Sequence, residues 1–222
     1  MEQKQKIEEK KEFVSKTEDE AIVLDYMPTG KPSASKTEAI AQVIGTSFFT
    51  LLEVTPKVGK SFNIGEKIYV GRDDRDKVEL IKGRIEFKDL TSNSMSELND
   101  VIEDIVNDNK EKFLAFFNTS RSISLKRHQL ELLPGIGKKH VLDILDKREK
   151  VKFESFEDIV AKVKSIPDPK KSVVKRIFEE LEGPEDKHYL FVRPPTVPKP
   201  FFGHDSKPGF RGNNTRSNFK RY

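Results

Sequence analysis

The sequence predicts an α+β protein: a small N-terminal OB-like β-barrel, then an all-α domain of two tandem helical hairpins, with disordered termini. Three observations predict it. Over residues 18–90 the apolar residues come in short runs punctuated by glycine and proline, the pattern of a small barrel. From Thr91 the apolar spacing becomes helical, as in Leu98, Val101, Ile102, Ile105 and Val106. The stretch Leu133–Val141 then finds a counterpart 33 residues on, at Ile166–Val174.

Of the 222 residues, 35% are charged and 35% hydrophobic, which suits a soluble protein of small domains. No run approaches the roughly 18 apolar residues of a membrane span, and the first residues lack a signal-peptide pattern. A cytoplasmic protein without membrane partners is expected. The absence of cysteine excludes disulfides, thiol nucleophiles and cysteine metal sites. The net charge of +4 is unevenly placed: from Arg193 to Tyr222 seven basic residues stand against Asp205 alone, so the rest of the chain carries a net −2. Attraction for a polyanion is concentrated in the tail and in local patches.

Residues 1–17 form a charged extension with no apolar face to bury, and disorder is expected there. In the barrel region, 18–90, Ala21–Met27 reads as a strand ended by Pro28-Thr29-Gly30. Ala39–Val54 reads as two strand segments kinked at Gly45, and Gly65–Gly71 as a short strand between glycines. Val78–Ile81 and Arg84–Leu90 complete the set around Lys82-Gly83. An SH3-like barrel has the same signature. OB barrels bind single strands with a basic, aromatic-bearing face; Phe48, Phe49, Phe62, Tyr69, Arg72, Arg75, Lys82 and Arg84 are the candidates. Thr29-Gly30-Lys31 does not make a phosphate loop, because Asp25 stands where the first glycine is needed and strand residues follow.

Residues 91–123 read as connecting helices, the first opened by a Ser94/Glu97 capping pair and the second built on Phe113, Leu114, Phe116 and Phe117 as core. In the region 124–183, Ser124 is expected to cap a helix ending at Leu133, because the residue before proline leaves the α region. A second helix starts near Lys138. Between them Pro134-Gly135-Ile136-Gly137 turns the chain. Ile136 points into the core, leaving the amides of Gly135, Gly137 and Lys138 at a helix N-terminus, where donors and dipole favour an anion. Lys138 and Lys139 add charge. The second turn, Ile166-Pro167-Asp168-Pro169-Lys170-Lys171, lacks both glycines and reads as mainly structural, with Lys170 and Lys171 as weak contacts. Lys147, Arg148, Lys150 and Lys152 would extend the basic surface. Over 184–195, His188–Val192 reads as a strand returning to the barrel. The tail, 196–222, mixes proline, Arg211, Arg216 and aromatic residues, a composition suited to single-stranded RNA.

Leu-Pro-Gly-Ile-Gly at residues 133–137 resembles the helix-hairpin-helix motif of nucleic-acid-binding proteins, which grips phosphate without reading bases. More widely the chain resembles an archaeal family of uncharacterised proteins described as predicted RNA-binding or nucleotide-binding. Six stretches carry the resemblance: Tyr26–Gly30, Phe49–Glu53, Ile64–Glu66, Leu130–Lys139, Phe153–Ile159 and Phe191–Pro194, within Asp19–Pro195. It implies an OB-like domain joined to a tandem helix-hairpin-helix domain. The genes of that family typically neighbour those for transcription or ribosomal RNA modification.

The expected function is non-catalytic nucleic-acid binding, with RNA, ribosomal RNA above all, as partner. Gly135, Ile136, Gly137, Lys138, Lys139, Lys170, Lys171, Arg72, Lys82, Arg84, Arg211 and Arg216 form the expected site. Two other readings stand beside it: duplex-DNA binding of the repair type, and a protein-interaction module for transcription or ribosomal proteins. No enzyme, metal or cofactor is expected, since His128, His140, His188 and His204 show no ligand spacing and no catalytic triad can be assigned.

Overall fold

The computed structural model describes residues 17–31 and 37–195. The charged extension before Thr17 and the tail with Arg211 and Arg216 lie outside the described residues. Five antiparallel strands, β1 (Glu20–Met27), β2 (Ile40–Gly45), β3 (Leu51–Pro56), β4 (Lys67–Tyr69) and β5 (Val78–Arg84), pair in the order β4-β1-β2-β3-β5. They curl into half a barrel whose edges, β4 and β5, do not pair with each other. Successive strand residues point to opposite faces. Ala21, Val23, Ala41, Val43, Leu52 and Val54 pack together with Phe62 and Ile68 as the sheet's own core. Leu24, Ile44 and Leu51 join the core shared with the helices. Arg84–Leu90 is not a further strand: β5 runs through Lys82 and Gly83, and Phe87–Asp89 is a 3₁₀ turn in which Asp89 accepts the Glu86 amide.

Helix α1 (Ser92–Asp108) is capped by Thr91 rather than opened at Ser94: the Thr91 hydroxyl accepts the Ser94 amide at 3.0 Å. Buried Gln42 ties this helix start to the sheet. Its Oε1 accepts the Thr91 amide (2.9 Å) and the Ser94 hydroxyl (2.8 Å), and its Nε2 donates to the Asp89 carbonyl (2.9 Å). These bonds offset the cost of burying an amide. Asn109 separates α1 from α2 (Lys110–Thr119), whose Phe113 and Phe117 are buried as expected.

The helix expected from Ser124 is absent. Instead β6 (Ser122–Ser124) and β7 (Arg127–His128) form a two-stranded ribbon, and only a 3₁₀ turn, Gln129–Leu132, precedes the hairpin. Two features stop an α-helix here. The ribbon uses up Ser122–His128, and His128 caps the 3₁₀ turn, its Nδ1 accepting the Leu130 amide at 3.1 Å. Helix α3 (Lys138–Lys150) starts where the glycines end, and α4 (Phe156–Lys162) and α5 (Pro169–Glu182) form the second helical pair. Gly183 caps α5. The return segment is not a strand either, though it does pack back: the Glu180 carboxylate accepts the amides of Leu190, Phe191 and Val192 at 2.7–2.9 Å, and the Arg193 amide donates to the Phe48 carbonyl at 3.0 Å. Amides bonded to a carboxylate have no strand partner to seek.

Candidate nucleic-acid interface

Leu130, Leu132, Leu133 and Ile136 are buried and hold the first hairpin turn from beneath. Gly135 has φ +84, and a Cβ there would lie 3.0 Å from Cγ of Pro167 in the second turn. The backbone angle calls for glycine, and a side chain there would also press on the Pro167 ring. The Ser172 hydroxyl donates to the Pro134 carbonyl at 2.9 Å, so each turn braces the other. Gly137, at the N-cap of α3, is exposed and brings no side chain to the helix end. Among the described residues no acceptor meets the amides of Gly135, Gly137, Lys138 or Lys139. A helix start leaves such donors unpaired, and its dipole favours negative charge there. The Lys138 and Lys139 side chains are exposed, with no ion pair among the described residues. Glu131 and Glu179 line the hollow under the turn, and the Glu131 carboxylate already accepts the His128 amide at 3.0 Å. The arrangement can hold an anion such as phosphate.

The second turn is built otherwise. Asp168 caps α5 with its own carboxylate, which accepts the Lys171 amide at 3.1 Å, and Pro169 has no N–H to offer. Lys170 is held by Glu103 (2.7 Å) and Asn107 (3.4 Å), and the hydrogen bond to Glu103 raises its pKa. Lys171 is exposed. The basic run at the end of α3 is mostly engaged: Lys147 and Lys150 pair with acids of their own helix, and Arg148 donates to the carbonyls of Phe117 and Ser120 at 2.8 Å. On the half-barrel, Arg72 is exposed, Lys82 pairs with Glu38 at 2.6 Å, and Arg84 clamps the Arg193 (2.7 Å) and Pro194 (3.1 Å) carbonyls. Phe49 and Phe62 are core, and the Tyr69 hydroxyl donates to Asp73 at 3.1 Å. The structure therefore brings together Gly135, Ile136, Gly137, Lys138 and Lys139, with the second turn beside them.

Sequence reading missed the β6–β7 ribbon. A signal was there: Ile123 and Leu125 alternate with Ser122, Ser124 and Lys126, a period of two. Among the described residues no three His, Asp or Glu side chains gather as a metal-binding group, and no helix is long and apolar enough to cross a membrane.

Comparison with known proteins agrees with the span of the resemblance. The family model described as Protein of unknown function (DUF655) matches residues 17–193. The uncharacterized protein MJ0038 of Methanocaldococcus jannaschii is 38% identical over 185 residues, 83% of this chain and 84% of its own. The crystal structure of Af1531 from Archaeoglobus fulgidus, itself assigned to DUF655, superposes with a TM-score of 0.72 at 44% identity, over 79% of this chain and 100% of that one. A model matching most of the chain and two archaeal relatives of this likeness show that the chain belongs to the DUF655 family.

Proposed function

We propose that this protein binds RNA without catalysis, seating a backbone phosphate on the amides of Gly135, Gly137, Lys138 and Lys139 and pairing it with the two lysine side chains. One observation carries the reading: these donors stand unanswered at a helix start that buried leucines and the second turn hold rigid. Such contacts position a nucleic acid and carry no base information. On this reading the 3₁₀ turn with α3, and α4 with α5, would be the two arms of a tandem helix-hairpin-helix arrangement, the first arm shortened. The curled five-stranded sheet would serve as the OB-like part, with Arg72 as its basic candidate without an ion pair among the described residues. The basic tail would add affinity without sequence preference. Choice of RNA over DNA rests on the family resemblance.

The test is a salt titration of binding to structured RNA, single-stranded RNA and duplex DNA, for the intact chain and for Lys138→Ala/Lys139→Ala. Removing two cations that each neutralise a phosphate should flatten the log–log salt slope by about 1.5. An unchanged slope and affinity would remove the hairpin from the interface. Preference for duplex DNA in competition would overturn RNA as the ligand and leave phosphate binding standing.

A further inference from the structure

We propose that the β6–β7 ribbon is a second RNA contact beside the first hairpin turn, its tip residue Leu125 packing against a nucleotide that is not base-paired. This rests on the phosphate-binding reading above. Arg121 to Lys126 are all exposed, and Leu125 is 107% exposed, a full leucine side chain held in water at the end of an arm. The arm is fixed at its base. Gln129 donates its amide to the Arg121 carbonyl (3.0 Å) and accepts the Arg121 amide on Oε1 (2.7 Å), while Arg127 bonds Asp186 at 2.7 Å. An element ordered before binding loses little entropy when its partner arrives.

Its placement identifies the partner. A groove of about 420 Å³ separates the ribbon from α3, lined by Ser124, Leu125, Lys126, Lys138, Leu142 and Leu145. Lys138 belongs both to this groove and to the phosphate-binding turn, and Leu142 is exposed as well. Arg121, Lys126 and Lys138 have no ion pair among the described residues, and the acid of the groove, Glu131, is occupied by the His128 amide. An apolar wall edged by cations fits a chain that alternates anionic phosphates with flat apolar faces. Bases within a duplex have those faces covered by their neighbours, so the wall favours a bulged or single-stranded nucleotide. Aliphatic side chains pack against unstacked bases in this way elsewhere.

The experiment compares the full chain on two RNA duplexes, one fully paired and one carrying a single bulged 2-aminopurine, at about 150 mM salt. The intact protein should prefer the bulged duplex by about tenfold and change the 2-aminopurine fluorescence, the scale of burying much of one leucine side chain. Leu125→Ser should cut that preference to about twofold or less and leave affinity for the paired duplex unchanged. Lys138→Ala/Lys139→Ala should weaken both duplexes alike and keep the preference. No preference in the intact chain, or one that survives Leu125→Ser, overturns the ribbon contact and leaves the hairpin reading intact. Unaltered binding by the lysine variant overturns the hairpin reading itself. A ribbon that instead serves a protein partner would show the first of these outcomes. Leu125 is wholly exposed, so the serine variant should fold, and an unchanged melting temperature checks it.

Discussion

The two hairpin turns share a pattern at an offset of 33 residues and differ in how their helix-start amides are met. In the second, the Asp168 carboxylate meets the Lys171 amide, Pro169 removes a donor, and Lys170 turns aside to Glu103. In the first, glycine stands at the N-cap, both lysines face solvent, and the amides are left to whatever comes. The shared sequence pattern ends as a finished structural element in one copy and an unfinished one in the other. Over glycine, an N-cap side chain stabilises a helix by only about 0.3 kcal/mol, and the first turn forgoes that.

In other places a carboxylate answers the backbone donors. Glu18 accepts the amides of Ser47, Phe48 and Thr50 at 3.0–3.2 Å, pinning the turn between β2 and β3. Glu180, 2% exposed, accepts three amides of the return segment and the Arg176 guanidinium at 2.9 Å. Against these the first hairpin turn leaves its donors open. The largest effect is therefore expected at Glu180. Glu180→Ala takes from buried Arg176 its nearest carboxylate, leaving Asp186, the His188 carbonyl and Glu179 at 4.0 Å, and strips three amides of their acceptor, at a cost of about 3–5 kcal/mol. Urea denaturation measures it. A loss near 1 kcal/mol would mean that the return segment is held by its aromatic contacts, such as Phe191 on Phe113 and Phe116.

Gly137→Asp would make the first turn like the second. Nothing lies within 4 Å of a Cβ at Gly137, and its backbone angles suit any L residue. Stability should change by no more than about 0.5 kcal/mol, since glycine is itself a fair N-cap. RNA affinity should fall by about tenfold or more, because the new carboxylate takes the donors and repels phosphate. Parallel melting and binding measurements separate the two. Retained affinity would show that the amides are spectators.

What the sequence made legible follows from how local each cause is. The first turn was readable because Gly135 answers a backbone angle and Ile136 an apolar pocket, both visible in five residues. The start of α3, the break at Asn109 and the stop at Gly183 are local in the same way. The ribbon was obscured because Ser124, a plausible cap, sits beside an apolar run, and what selects the ribbon is Gln129 reaching back to Arg121 and Arg127 reaching across to Asp186. Likewise the return segment has the composition of a strand, yet Glu180 claims its amides from another helix. Arg84 and Lys170 read as binding cations because their partners, the Arg193 carbonyl and Glu103, lie far along the chain.

The smallest effect tests the comparison from its other side. Asp168→Ala removes the cap of α5 and should cost about 1 kcal/mol, read from the urea midpoint. It should leave RNA affinity within about twofold. Uncapping frees the Lys171 amide, but Pro169 still withholds a donor and Glu103 still holds Lys170. Three consecutive open amides, at Gly137, Lys138 and Lys139, and two lysine side chains clear of any ion pair among the described residues are what the first turn has and this one would lack. A clear rise in affinity would show that Asp168 alone had kept the second turn from phosphate, and the two copies would then differ by one carboxylate rather than by glycines, proline and lysine placement together.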